Sequence, residues 1–137
     1  MNKTLTTAVL SLAASALVAA LPAYAHHSFA AEYDAAKSIT FTGTVTKVEW
    51  TNPHIFVHMD VPDEQTGNVV AWKLEMGAPN ALLRLGWKRD SLKVGDLVTV
   101  QGSLAKDGSP LVNAKSIVMA ATGKRMLAGS SGETERE

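Results

Sequence analysis

The fold is decided by residues 38–50, which read SITFTGTVTKVEW. Apolar residues alternate there with Thr, Lys or Glu, and the density of β-branched residues is typical of a half-buried strand. The apolar positions up to Val45 share one parity, whereas those from Val48 onward have the other. We therefore expect a bulge or bend near residues 46–47, with Gly43 easing the curvature. A long, bent first strand is what a small closed barrel needs.

Four more strands are expected after this one. Pro53 ends the first strand, because proline cannot donate to a strand ladder. Residues 54–61 then alternate again, and later strands are expected at 69–76, 97–103 and 111–121. In the second strand the pattern predicts that Ile55, Val57, Met59 and Val61 face the core, and that His54, Phe56, His58 and Asp60 form a solvent or ligand face.

One short helix is expected between the third and fourth strands, at residues 77–87. Pro79 suits its first turn, and Gly86 suits the left-handed position after its end, which lets Trp87 fold back. The predicted apolar face consists of Leu82, Leu83 and Leu85.

This order of elements predicts an all-β protein with one short helix, built as a small five-stranded OB-fold-like Greek-key barrel over residues 38–122. The alternative fold is an SH3-like barrel or another small barrel. Residues 26–37 are expected to form an N-terminal arm pinned by Phe29 and Tyr33. Residues 123–137 are rich in Gly, Ser and Glu, which predicts a disordered tail.

The first 25 residues have the pattern of a signal peptide. Lys3 supplies a positive start, residues 8–21 are almost entirely Ala, Leu and Val, and residues 23–25 offer a small-x-small cleavage motif. The apolar run is too short to span a bilayer comfortably, so we expect export without a stable membrane anchor. The sequence thus predicts a periplasmic or secreted protein, cleaved after Ala25.

Composition excludes several classes of function. The 137 residues are neutral overall, with 13 Lys and Arg against 13 Asp and Glu. Loss of Lys3 with the leader leaves 12 basic against 13 acidic residues, a net charge of about −1. Nucleic acid binding needs a basic surface, so no nucleic acid partner is expected. The chain has no cysteine, which excludes disulfides, thiolate metal sites and cysteine nucleophiles. No catalytic motif is found, so no enzyme activity is predicted.

Several short motifs resemble a known family. They are His26-His27-Ser28-Phe29, Gly43-Thr44-Val45, Asn52-Pro53-His54, Pro79-Asn80-Ala81-Leu82 with Arg84-Leu85-Gly86-Trp87, and Gly95-Asp96. Together they are similar to a family of small exported bacterial proteins known as a domain of unknown function, DUF6152. The resemblance covers nearly all of the mature chain and implies export and a compact β domain. It implies no activity and therefore no catalytic residues.

All four histidines lie in two short segments, at positions 26, 27, 54 and 58. If cleavage follows Ala25, the free amine and the ring of His26 can chelate one metal ion, and His27, His54 or His58 can add a further imidazole. Nitrogen ligands of this kind favour copper(II), with zinc or nickel next. The alternative for each histidine is a structural or surface role.

Strand geometry limits how many histidines share one ion. His54 and His58 are four residues apart, which in a strand separates them by roughly 13 Å. We therefore expect His54 to be the better partner for His26, and His58 to be the least favoured ligand. A non-metal alternative uses Phe56, between the two histidines, to bind a small ligand, a glycan or an envelope protein. The sequence does not specify the oligomeric state.

Overall fold

A computed structural model of the protein describes residues 29–129. These residues form two short helices and six strands. The helices are α1 (Phe29–Glu32) and α2 (Pro79–Arg84), and the strands are β1 (Tyr33–Glu49), β2 (Phe56–Pro62), β3 (Val69–Glu75), β4 (Leu97–Ala105), β5 (Leu111–Met119) and β6 (Arg125–Leu127).

Five of the strands close into a ring. β1 pairs antiparallel with β2 on one side and with β4 on the other, and the remaining antiparallel pairs are β2 with β3 and β4 with β5. A short parallel pairing of β3 with β5 completes the circle. With α2 between β3 and β4, this is the order of an OB-fold, so the predicted barrel is confirmed.

The bend of β1 lies where the sequence indicates. The register between β1 and β2 shifts between Val45 and Lys47, which leaves Thr46 as the extra residue of a bulge. A Cβ atom at Gly43 would lie 2.6 Å from the backbone oxygen of Asp60, so only glycine allows the strands to approach this closely. These two features let one long strand pair with both of its neighbours.

The inner face of β2 is the one predicted. Ile55, Val57, Met59 and Val61 are all buried in one core that also contains Leu74, Met76, Leu82, Trp87, Val98, Val100, Val112, Ala114 and Ile117. Burying these side chains together is the main source of the fold's stability.

The predicted apolar face of α2 is wrong in part. Leu82 is buried, but Leu83 and Leu85 are 50% and 36% exposed. The helix ends at Arg84, and Leu85 already leaves the helical conformation at its C-cap, so it cannot continue the buried face. Gly86 then takes φ 89°, and the backbone N–H of Trp87 donates to the oxygen of Leu82, as the predicted turn requires.

The predicted arm belongs largely to regular structure. α1 precedes β1, and Tyr33 and Asp34 already pair with β4; the next paired residue is Ser38, so residues 35–37 bulge outward. The rings of Phe29 and Tyr33 stack with their centroids 5.6 Å apart, and Tyr33 is buried. His26, His27 and the predicted leader lie outside the described residues.

The predicted disordered tail is wrong for residues 125–128. β6 pairs with β5, and Met126 and Ala128 are buried. The backbone N–H of Ala128 donates to the oxygen of Lys115, and its oxygen accepts from the N–H of Gly77. This segment therefore fills the space between β5 and the chain that leaves β3, and apolar burial outweighs a composition that suggested disorder. Residues 130–137 of the predicted tail lie outside the described part.

The helices of the described residues were also compared with the length and hydropathy of a membrane span. Between positions 29 and 129, no helix is both long and apolar enough to cross a bilayer.

Candidate functional site around His54 and Glu75

A histidine and a glutamate meet where β2 begins and β3 ends. His54 lies two residues before β2, and Glu75 is the last residue of β3, directly opposite Phe56. The Nδ1 atom of His54 is 2.6 Å from Oε1 of Glu75, and the two side chains are 32% and 11% exposed. The backbone pairing of Ile55 with Met76 and Gly77 holds the two segments together at this point.

Tyr33 contacts the other oxygen of the same carboxylate. Its hydroxyl donates to Oε2 of Glu75 at 2.5 Å, and the Tyr33 side chain is buried. Burial, and next the hydrogen bond to Glu75, raise the pKa of the Tyr33 phenol well above its ordinary value. The phenol therefore stays protonated at every physiological pH and remains a donor to Glu75.

The contact with Glu75 orients the imidazole ring of His54. The contact of 2.6 Å between Nδ1 and the carboxylate of Glu75 fixes the direction of the ring, and Nε2 lies on the opposite side of the imidazole. Metal-ligating histidines commonly place a carboxylate on their other nitrogen in this way.

The second histidine lies in a different environment. Nε2 of His58 is 2.8 Å from Oε2 of Glu49, and Nζ of Lys47 is 2.6 Å from the other oxygen. Hydrogen bonds from Lys47 and then from His58 lower the pKa of the exposed Glu49 carboxyl to about 2. His58 thus already uses Nε2 in a surface ion-pair network with Glu49 and Lys47.

Phe56 lies between the two histidines on the outer face, as predicted. It is half-buried, and Nζ of Lys73 lies 4.0 Å from the centre of its ring. This cation–π contact occupies one face of the Phe56 ring.

The two histidines point to different acids. His54 contacts Glu75 on β3 and His58 contacts Glu49 on β1, so the described structure does not bring them together on one partner. Between positions 29 and 129, no group of three or more His, Asp or Glu side chains is placed to share a metal ion. The predicted ligands His26 and His27 precede that range.

Glu75 and Tyr33 are the site residues that the sequence does not reveal as such. Glu75 has the outward parity of β3 and is indistinguishable in the sequence from a solvated strand glutamate. Its burial depends on a tyrosine 42 positions earlier in the chain. The spacing of Phe29 and Tyr33 indicates an anchored segment, but not where its hydroxyl points.

The fold and the site define a small closed β barrel that presents one histidine backed by a buried carboxylate. The chain belongs to a family of unknown function, DUF6152, whose family model matches residues 14–112. This match covers more than half of the chain and confirms the resemblance carried by the sequence motifs. No curated protein matches the chain significantly.

Proposed function

We propose that the protein is an exported, periplasmic metal-binding barrel in which His54 and a mature amino terminus at His26 bind copper. One observation carries the proposal: Nδ1 of His54 contacts the carboxylate of the buried Glu75 at 2.6 Å, which leaves Nε2 as the nitrogen that can meet a metal ion. A carboxylate on the far nitrogen fixes the ring and makes it a better ligand. The barrel would buffer or deliver the ion, because no catalytic motif accompanies the site.

The start of the described chain is connected to this site through Tyr33. Three peptide units separate His26 from Phe29, which allows roughly 10 Å of extended chain. The ring of Phe29 stacks on Tyr33, and the Tyr33 hydroxyl contacts the same carboxylate as His54. The chain entering β1 is thus anchored at the site itself.

The donor set favours copper. Cleavage after Ala25 would leave His26 with an α-amine, whose ordinary pKa is about 8, next to its own imidazole. Together with Nε2 of His54 this gives three nitrogen donors, a set that binds copper(II) more tightly than zinc or nickel. His27 is available as a fourth donor.

The experiment has two stages. Mass spectrometry of the exported protein first identifies its amino-terminal residue. Copper(II) is then titrated against the mature protein, a version extended by one alanine before His26, and the His54→Ala and His58→Ala variants. We expect the extension and His54→Ala each to weaken binding more than tenfold, and His58→Ala, the matched control, to leave it unchanged. Equal affinity in all four proteins would overturn the proposal.

A second candidate function is a ligand-binding face around Phe56. Phe56 and His58 are half-buried on the outer surface of β2, the part of an OB barrel that often binds extended ligands. This candidate predicts that an oligosaccharide or envelope protein binds in the presence of a chelator and is lost in Phe56→Ala. The copper site predicts no effect of Phe56→Ala on metal affinity.

A further inference from the structure

A row of polar side chains crosses the outer face of the barrel beside Glu75. Ser103 on β4 pairs with Asn113 on β5, and Asn113 pairs with Glu75 on β3. All three are buried, with 0%, 9% and 9% of the whole residue exposed. Polar side chains on the outer face of a barrel are ordinarily solvated, so this burial is unusual.

Two atoms of the row have no partner. Oγ of Ser103 and Oδ1 of Asn113 are buried and make no hydrogen bond. Each such atom costs the full desolvation of a polar group, and native proteins rarely keep one without a water, an ion or a ligand for it. The two atoms belong to residues that are directly paired across β4 and β5.

Tyr33 closes this site from the outside. Tyr33 pairs with Ala105 on β4, whereas Glu75 lies beyond β5. The hydrogen bond between them therefore passes over the strands that carry Ser103 and Asn113. Because the phenol satisfies only Glu75, the closed arrangement leaves the other two acceptors unpaired.

We propose that Ser103, Asn113 and Glu75 form a binding site for a small primary ammonium group, with Tyr33 as its cover. The row offers a hydroxyl oxygen, an amide oxygen and a carboxylate, which match the three N–H donors of such a group. The carboxylate of Glu75 supplies the counter-charge, since it can accept further hydrogen bonds beside those of Tyr33 and His54. The aromatic ring of Tyr33 adds a surface that attracts cations.

This site shares Glu75 with the proposed copper site but does not depend on it. The experiment therefore uses chelator-treated, metal-free protein. Methylammonium chloride is titrated against it at constant ionic strength and followed by the backbone amide signals in nitrogen-correlated NMR spectra. Tetramethylammonium chloride, which has the same charge but no N–H group, is the matched probe.

We expect saturable shifts at the amides of Ser103 and Asn113 with methylammonium and none with tetramethylammonium. Asn113→Leu and Ser103→Ala should each weaken binding at least tenfold, whereas Asn80→Leu, at an exposed site on α2, should not. The use of two separate site variants guards against misfolding in one of them. Linear or absent shifts with methylammonium, or equal responses to both cations, would overturn the proposal, and neither result bears on copper binding.

Discussion

The two histidine–glutamate pairs consist of the same residue types but have different surroundings. His54 and His58 are almost equally exposed, at 32% and 33%, but their carboxylates differ: Glu75 is 11% exposed and Glu49 is 32%. Besides its histidine, Glu75 contacts the neutral phenol of Tyr33, whereas Glu49 contacts the ammonium of Lys47. His54 makes its contact through Nδ1, whereas His58 makes its contact through Nε2. The surroundings of the carboxylate, and not the residue pair, distinguish a candidate ligand from a surface contact.

The largest expected difference between the two pairs is in stability. Glu75→Ala leaves the Tyr33 hydroxyl buried without its acceptor and should lower the free energy of unfolding by about 3 kcal/mol. Glu49→Ala removes only exposed contacts and should change it far less. Urea unfolding followed by tryptophan fluorescence measures both. Equal losses would mean that the two carboxylates are equivalent after all.

The next largest expected difference between the two pairs is their effect on copper affinity. Glu75→Gln keeps the size of the side chain but removes the charge that supports His54, so copper affinity should fall about tenfold. Glu49→Gln, the matched change at the other pair, should have no effect. Competition against a chromogenic chelator gives the two affinities. A loss in Glu49→Gln as large as that in Glu75→Gln would place the metal elsewhere.

The buried region should also gain stability from one substitution. Ser103→Ala removes a buried hydroxyl that has no hydrogen bond, so we expect the free energy of unfolding to rise by about 1 kcal/mol. Ser38→Ala, at the exposed end of the same row, is the control and should be neutral. Thermal denaturation of the metal-free proteins compares them, and destabilisation by Ser103→Ala would mean that the hydroxyl is bonded in solution.

The smallest expected effect is the pH dependence of the exposed pair. The pKa of Glu49 falls from 4.5 to about 2 on folding, so its ionised form favours the folded state. That contribution is present above pH 4.5 and is lost as the pH falls towards 2. Stability measured across this window should therefore decline less steeply in Glu49→Gln than in the wild type, and added salt should shrink the difference. Parallel curves would contradict the surface network.

Local patterns predicted most of the barrel. The alternation in residues 54–61 gave the buried face of β2, and the change of parity after Val45 gave the bulge at Thr46. Proline and glycine marked both ends of the region around α2. Each of these signals depends on neighbours within a few positions, so a single sequence contains it.

The site and the last strand depend on distant partners. Glu75 is buried because Tyr33 reaches it, and β6 forms because Met126 and Ala128 fill the space beside β5. Neither Glu75 nor the segment around Met126 differs in local pattern from a solvated strand or a polar tail. Only the closed ring of strands brings these residues to their partners.

The position of β6 has a consequence for how the chain must fold. Residues 125–128 complete the contact between β5 and the segment after β3. The barrel therefore cannot be finished until β6 has docked, and a shortened chain that ends near residue 122 should remain an incomplete, protease-sensitive intermediate.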